Sequence, residues 1–304
     1  MAAVIIPYAG WQKCLRLSNP AIDLVITTEV GPRIIRFGLT GGPNEFAEYP
    51  DQVGTSGDAA YHSYGGHRLW VAPEENGRTN HPDNLPVGWK IEEDGEMVLL
   101  APVEKGTQLQ KQLRVQLDPV KPHVTVIHRI TNRGKADAVL APWAVTVMAP
   151  GGRAIIPQEP FVAHSKRVLP VRPVVLWGYT RMKDLRWTWG DRFIQLRQDA
   201  AGDGPQKMGA LVTAGWAAYA NGDRIFLKRF DCTPGASYPD FGCNLEIFTN
   251  HRMLEVESLG PVTTLSPGKS VTHREDWYLF SGIQLGGSED ALASALATIL
   301  SRIS

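Results

Sequence analysis

Cysteine is scarce in this chain, and neither sign of charge is in excess. The 304 residues include three cysteines, Cys14, Cys232 and Cys243. Their odd number argues against a disulfide framework and fits a reducing compartment, although Cys232 and Cys243 could meet across a hairpin. Lysine and arginine total 31, as do aspartate and glutamate. This balance gives no electrostatic reason to expect nucleic acid or a membrane surface as a partner.

Long apolar runs are also missing. The N-terminus has neither a basic stretch nor a long apolar segment, which argues against a signal peptide. Runs such as residues 138–150 are short and interrupted by proline, so none reaches the length of a membrane span. These absences predict a soluble, cytoplasmic protein. No linker, repeat or low-complexity tract divides the chain, and we expect a single domain over residues 1–304.

Turn-forming residues, in contrast, are spread along the whole chain, with 30 glycines and 22 prolines. Short runs rich in β-branched residues, leucine and aromatics lie between them, a pattern typical of an antiparallel sandwich or barrel. Residues 109–117 and 124–130 keep a two-residue period, and residues 24–39 predict a hairpin. The sequence therefore predicts an all-β fold.

Two local signals are stronger than the rest. Asn221 and Gly222 lie between two β-rich runs and favour a type I′ turn, because both central residues of such a turn need positive φ. Near the C-terminus, Ser288 can cap a helix whose apolar residues follow helical spacing up to Ser301. We expect this short helix on the outside of a sheet.

A polar, turn-rich segment at residues 51–86 is typical of a functional loop. Its densest part contains six candidate ligand-binding side chains: His62, Tyr64, His67, Arg68, Trp70 and Glu74. Sugars need such a mixture, since their hydroxyls demand donors and acceptors while aromatic rings pack against their C–H faces. We predict that His67 and Arg68 point into a carbohydrate cleft. The alternative is that these side chains only brace a loop.

The same segment contains residue types that can bind a metal. His62 and His67 are five residues apart, and Glu74 follows seven residues later. That spacing matches neither the helical pattern of zinc peptidases nor a His-x-His pair on one strand. We assign no metal and no other cofactor.

Carboxylates form a second candidate group. Glu255 and Glu257 lie two residues apart in a predicted strand and therefore share one face. Glu246 belongs to a neighbouring predicted strand. This arrangement suits a polar cleft, and the alternative is a solvated face with glutamate at alternate positions.

A basic and aromatic run at residues 177–197 provides a third group. Arg186, Trp187 and Trp189 could form a second wall of the cleft, with one tryptophan as a stacking platform. Interleaved basic and aromatic residues can also bind nucleic acid, but the zero net charge disfavours that interpretation. His128 shares a strand face with apolar residues, and we interpret it as a core histidine.

Several short blocks resemble the galactose mutarotase-like, or aldose 1-epimerase-like, superfamily. GPRIIRF at residues 31–37 is similar to its opening hairpin, and residues 126–150 are similar to its central strand–turn–strand unit. GGHRLW at residues 65–70 and LEVESLGP at residues 254–261 resemble a bacterial domain of unknown function related to that superfamily. The resemblance implies a β-supersandwich, in which two large, mostly antiparallel sheets pack face to face and a concave face binds sugar.

The resemblance also implies a pair of catalytic groups. A late glutamate acts as base, and Glu257 or Glu255 could match it. The general acid is a histidine after the central unit, yet residues 142–148 contain none. A histidine from elsewhere would have to replace it: His67, His62 or His164.

Two hypotheses follow. One is an epimerase or related sugar-processing enzyme with Glu257 and His67 as its catalytic pair. The other is a non-catalytic sugar-binding module. The expected partner is a mono- or oligosaccharide, and arginines such as Arg68 would allow an acidic one. The sequence leaves the oligomeric state open.

Overall fold

Strands dominate the computed structural model, which describes residues 3–303. They form two large antiparallel sheets of eleven and ten strands. In spatial order, the first sheet contains β1 (Val4–Tyr8), β2 (Trp11–Ser18), β3 (Ile22–Thr27), β4 (Arg33–Leu39), β5 (Gly66–Ala72), β10 (Ala138–Met148), β19 (Leu254–Leu259), β18 (Leu245–Thr249), β15 (Gln206–Ala210) and β12 (Val174–Leu176), with β20 (Thr263–Leu265) paired to β10.

The second sheet is built in the same way. Its strands, in spatial order and numbered along the chain, are β13 (Trp187–Trp189), β14 (Phe193–Arg197), β11 (Arg153–Pro157), β16 (Trp216–Asn221), β17 (Arg224–Phe230), β21 (Ser270–Phe280), β9 (His123–Asn132), β8 (Leu109–Leu117), β7 (Met97–Leu100) and β6 (Gly88–Ile91). A single helical turn, α1 (Pro239–Gly242), precedes β18, and helix α2 (Glu289–Ser301) follows the last strand.

The main core lies between the two sheets. Phe37 of the first sheet packs edge-on against Trp277 of the second, with ring centroids 5.7 Å apart, and Phe226 lies 5.9 Å from the same indole. Because strand side chains alternate, every second residue of the first sheet points away from this core. That opposite face is available for function.

The predicted all-β architecture of two large antiparallel sheets with a short C-terminal helix is confirmed. Ser288 accepts a hydrogen bond from the Ala291 amide at 3.2 Å and caps α2. Leu292 and Leu296 of the helix join Ile225 in an apolar cluster on the outside of the second sheet.

Two details differ from the sequence-based expectation. The hairpin after β16 forms, but Asn221 pairs with Arg224, and positive φ is found at Gly222 alone, so the type I′ prediction is wrong. Residues 51–86 do not form one continuous loop, because residues 66–72 pair with both neighbouring strands as β5.

Among the residues that the structure describes, no helix has the length and apolar character needed to span a bilayer.

Candidate functional site

Charged and aromatic side chains are concentrated at the centre of the first sheet. Arg68 of β5, Val145 of β10 and Glu257 of β19 lie in register across three strands and point away from the second sheet. Their neighbours His67 and Thr146 point toward it. We call the first set, with its flanking residues, the outer face: Arg68, Trp70, Trp143, Lys207, Glu246, Glu255 and Glu257.

Glu257 lies at the centre of the outer face and is 1% exposed. Its Oε2 atom accepts a hydrogen bond from the Trp143 indole at 2.8 Å and lies 3.5 Å from the Lys207 ammonium. Its Oε1 atom has no hydrogen-bond partner among residues 3–303. One oxygen of this buried carboxylate therefore lacks the hydrogen-bond partner that buried acceptors normally have.

Lys207 links two of the carboxylates. Its Nζ atom lies 2.7 Å from Glu246 Oε2 and packs over the rings of Trp143 and Trp177, at 4.7 and 4.6 Å from their centroids. Burial acts to lower the pKa of Lys207, but the charges of Glu257 and Glu246 outweigh it and raise that pKa above its usual value. Lys207 is therefore a fixed positive charge between two acids.

A second ion pair lies at the other side of Glu257. Arg68 Nη2 is 3.5 Å from Glu255 Oε1, and the guanidinium lies 4.1 Å above the centroid of Trp70. Burial, followed by the nearby Glu257 charge, raises the pKa of Glu255 to about 7, although Arg68 and Lys207 act in the opposite direction. Glu255 can therefore gain or lose a proton near neutral pH.

This shift predicts a pH-dependent stability. Between its ordinary pKa of 4.5 and about 7, Glu255 binds a proton in the folded state that the unfolded chain has released, so stability falls as pH rises. We expect the free energy of unfolding to fall by up to about 3 kcal/mol across this window, relative to Glu255→Gln.

Urea unfolding of both proteins at several pH values measures the difference. The variant is the necessary reference because the lowered pKa values of His67, His128 and His273 give both proteins a pH dependence of opposite sign. A difference that stays constant from pH 4.5 to 7 would contradict the assignment.

Aromatic rings border these charges. Trp70 lies 5.4 Å from Trp143 and 6.0 Å from Tyr61, measured between centroids. Tyr61 is 38% exposed and Tyr179 is 42% exposed, so part of the border is open to solvent. The outer face thus combines apolar ring surfaces with buried donors and acceptors, which is the chemistry that a polyhydroxylated ligand needs.

The structure brings five sequence-predicted site residues together on this face. They are Arg68, Trp70, Glu246, Glu255 and Glu257, with Glu246 directly opposite Glu257 in the register of β18 and β19. The predicted sharing of one strand face by Glu255 and Glu257 is confirmed. Glu74 is exposed, and its charge contributes to the raised pKa of Glu255.

His67 is not on the outer face, contrary to the expectation that it points into the same cleft as Arg68. Adjacent residues on a strand point to opposite sides, and the His67 side chain is fully buried between the sheets. Burial lowers its pKa well below the usual value, with the neighbouring His128 as a further cause. A neutral, enclosed imidazole cannot reach a ligand on the outer face.

His67 instead belongs to a buried hydrogen-bond chain. Lys228 donates to Thr146 Oγ1 at 2.6 Å, and Thr146 lies 2.8 Å from His67 Nδ1. His67 Nε2 is 2.6 Å from His128 Nε2, and His128 Nδ1 is 2.9 Å from the backbone oxygen of His273. That oxygen can only accept, so His128 Nε2 accepts from His67, and His67 Nδ1 accepts from Thr146. Every member is satisfied with both imidazoles neutral.

We therefore expect His67→Leu to affect stability rather than binding. The substitution leaves the O–H of Thr146 without an acceptor and Nε2 of His128 without a donor in the interior, while Lys228 still donates to Thr146 Oγ1. The free energy of unfolding should fall by about 1 to 3 kcal/mol, as measured by urea denaturation. Loss of sugar binding at unchanged stability would instead restore His67 as a functional residue.

Five other predicted residues are engaged elsewhere. His62 contacts Asp58 at 2.7 Å, and Tyr64 is buried against Trp11 with its hydroxyl on Asn84. Arg186 forms a two-point ion pair with Asp184. Trp187 and Trp189 stack on each other at the edge of the second sheet, where the indole of Trp187 donates to Gln206. The rings beside the outer face are therefore those of Tyr61, Trp70 and Trp143, and not the expected Trp187 or Trp189.

Two histidines of this buried hydrogen-bond chain also belong to a possible metal site. Within residues 3–303, one group of side chains could together hold a metal ion, and it consists of His67, His128 and Glu275. The Lys228 ammonium lies 2.8 Å from Glu275 Oε1, and the Trp277 indole donates to Oε2 at 2.8 Å. Since Lys228 already supplies a positive charge and both imidazoles are satisfied, the arrangement is explained without a metal.

A separate cavity of about 260 Å³ lies beside β8. Pro82, Leu85 and Val103 contribute apolar surface to it. Its buried charges are already paired, since Lys111 lies 2.7 Å from Glu104. The cavity lacks the array of aromatic rings and free acceptors that defines the outer face.

Sequence reasoning missed Lys207 and Trp143 as site residues. Lys207 lies in a short strand and is followed there by Met208, Gly209 and Ala210, and a lysine at such a position could have indicated a buried ion pair. Trp143 lies within residues 142–148, where the resemblance led us to look for a histidine, and its indole N–H donates to Glu257.

Comparison with known proteins agrees with this architecture. No protein-family model and no curated protein matches the sequence. Solved structures do match: a galactose mutarotase-like protein from Lactobacillus casei has a TM-score of 0.55 at 12% identity and covers 88% of this chain and 100% of its own.

Two further structures show the same likeness. A protein described as a candidate aldose 1-epimerase from Klebsiella pneumoniae has a TM-score of 0.58 at 12% identity, over 98% of this chain and 86% of its own. A galactose mutarotase-like protein from Clostridium acetobutylicum has a TM-score of 0.55 at 10% identity, over 92% and 98%. The chain therefore has the galactose mutarotase-like fold, and the resemblance drawn from its sequence is confirmed at that level.

Proposed function

We propose that this protein binds a carbohydrate on the outer face of the first sheet. The observation that carries the proposal is the free Oε1 atom of Glu257, buried among aromatic rings and two ion pairs. A buried acceptor without a partner costs free energy, and a ligand hydroxyl that donates to it would recover that cost. Trp70 and Tyr61 supply ring surfaces for the C–H face of a sugar.

The fold supports the same function by analogy. Galactose mutarotase-like proteins and a candidate aldose 1-epimerase share the architecture, although fold alone does not determine activity. Among the described residues, the outer face is where a carboxylate cluster and aromatic rings meet. Three of its strands, β5, β10 and β19, contain the sequence blocks that resemble that superfamily or a domain related to it.

Calorimetric titration with a panel of aldoses tests the proposal. We expect saturable binding by the wild-type protein and weaker binding by Trp70→Ala, which removes a ring surface from the border. Trp89→Ala is a matched control, because Trp89 is 42% exposed on edge strand β6 of the other sheet. Equal weakening by both variants, or no binding to any sugar, would contradict the proposal.

Interconversion of sugar anomers is a second candidate function, favoured by the pKa of about 7 at Glu255. A base of this pKa can take the proton of the anomeric hydroxyl at neutral pH. The ring C–O bond then breaks, its electron pair stays on the ring oxygen, and that oxygen takes a proton from a donor. The Tyr61 phenol, whose pKa is raised by burial, remains protonated and could serve as that donor.

Polarimetry distinguishes the two functions. A catalyst should accelerate the optical-rotation change of a fresh aldose solution, and Glu255→Gln should lower the rate about 100-fold with binding retained. If the wild-type protein binds the sugar but does not change the rate, the binding module is supported and catalysis is rejected.

A further inference from the structure

Free hydrogen-bonding groups on the outer face are mainly acceptors. Glu257 and Glu246 are 1% and 0% exposed, and Oε1 of each carboxylate has no hydrogen-bond partner among residues 3–303. The cations, in contrast, are engaged: Lys207 contacts both carboxylates, and Arg68 contacts Ser63 and Glu255. Arg68 Nε is the free donor of the set. A ligand that satisfies this site must therefore provide more hydrogen-bond donors than acceptors.

Charge on the outer face points in the same direction. Three carboxyl groups meet two cations there: Glu246, Glu255 and Glu257 against Lys207 and Arg68. The charge of the exposed Glu74 acts on the same face from outside it. Two flanking ion pairs are each balanced and leave this excess unchanged: Arg33 with Asp83 at 2.8 Å and Arg252 with Asp51 at 3.0 Å. With these carboxyl groups ionised, the surroundings of the ligand are net negative. Burial raises the pKa of both Glu246 and Glu255, so these groups bind protons in the absence of a further cation, and a cationic ligand would hold them ionised.

We propose that the ligand of the outer face carries a protonated amine and is an amino sugar. This inference rests on the proposed carbohydrate function and names its substrate class. An ammonium group brings three donors to the free acceptors of Glu257 and Glu246, and its charge offsets the excess of carboxylates. The sugar ring still presents a C–H face to Trp70.

Acidic sugars are disfavoured by the same geometry. A carboxylate or phosphate would add negative charge to the excess already present and would leave the buried acceptors unpaired. The guanidinium of Arg68, which the sequence offered as a partner for an acidic ligand, already faces Glu255. Neutral sugars would satisfy the acceptors through hydroxyl groups but would not offset the charge.

Calorimetric titration at a pH just above the pKa of about 7 of Glu255, where this carboxyl is largely ionised, tests the preference with matched ligands. D-glucosamine and D-galactosamine are compared with D-glucose and D-galactose, with N-acetyl-D-glucosamine, which blocks the amine, and with D-glucuronate. We expect the amino sugars to bind at least about 10-fold more tightly than their neutral counterparts, because charge-assisted hydrogen bonds are about twice as strong as neutral ones. The blocked amine should lose this gain, and the uronate should bind weakest.

Two variants locate the effect. Glu257→Gln and Glu246→Gln should each reduce the ratio of amino-sugar to neutral-sugar affinity, whereas Glu93→Gln, at an exposed position between β6 and β7, should preserve it. Comparison of thermal unfolding identifies a variant that fails to fold. The ratio of amino-sugar to neutral-sugar affinity of the wild-type protein tests the preference even if a variant does not fold.

The outcomes separate this inference from the function on which it rests. Binding of neutral sugars as tight as that of amino sugars, or tightest binding of the uronate, overturns the amine preference and leaves carbohydrate binding in place. Failure of every sugar to bind overturns both.

Discussion

Replacement of Lys207 by methionine is expected to lower the free energy of unfolding by about 3 to 5 kcal/mol. The Lys207 ammonium is 2.7 Å from Glu246 and 3.5 Å from Glu257, and all three side chains are nearly inaccessible to solvent. Removal of one member of a buried ion group leaves the other charges uncompensated in an environment that solvates them poorly. Urea denaturation followed by circular dichroism measures the change.

Two further proteins make this test specific. Lys90→Met removes an exposed lysine that also contacts a glutamate at 2.7 Å, and it should change stability by no more than about 0.5 kcal/mol. Addition of Glu246→Gln to Lys207→Met should recover part of the loss, because one uncompensated charge is removed. A Lys207→Met protein as stable as the wild type would show that the ion group is not energetically coupled as described.

Glu257→Gln is expected to weaken sugar binding by about 10- to 100-fold, since hydrogen bonds to charged groups contribute about 1.5 to 3 kcal/mol. The substitution keeps the shape of the side chain and removes its charge, so the contact with the Trp143 indole can persist. Calorimetry gives the affinity, and polarimetry gives the rate of mutarotation on the same samples.

The pattern of losses defines the role of Glu257. Lower affinity alone supports an acceptor for a ligand group, and a lower rate with affinity retained supports a base. Glu93→Gln should change neither quantity. If Glu257→Gln lowers thermal stability while affinity and rate stay the same, the residue is structural and its assignment to a binding site is wrong.

The strand-borne part of the site could be predicted from sequence. The two-residue spacing of Glu255 and Glu257 fixes their common face wherever the strand is placed, because side chains alternate. Glu246 then follows from the pairing of consecutive strands β18 and β19. Such local rules require no knowledge of distant contacts.

Arg68 and His67 obey the same alternation, but the sequence around them does not indicate a strand. The glycines and polar residues around position 65 indicated a loop, so both side chains were expected to reach one cleft. Gly65 and Gly66 do have positive φ, where the backbone closely approaches the segment at residues 47–48 and the strand β4, but the chain becomes β5 immediately afterwards. Because this segment is a strand, the side chains of the adjacent residues His67 and Arg68 point to opposite faces of the sheet.

Lys207 and the aromatic border could not be predicted because their roles depend on distant contacts. Lys207 meets Glu257 fifty residues later in the chain. Trp177 belongs to the same basic and aromatic run as Trp187 and Trp189, yet it lies over Lys207 while the other two lie at the edge of the second sheet. Sheet order, which this composition does not encode, separates them.

A crystal structure of the protein with a bound sugar tests the central claim most directly. The account predicts that the sugar lies on the outer face, with its ring against Trp70 and a hydroxyl or amino group about 3 Å from Glu257 Oε1. Sugar bound only in the cavity beside β8, or with no contact to Trp70 and Glu257, would contradict it.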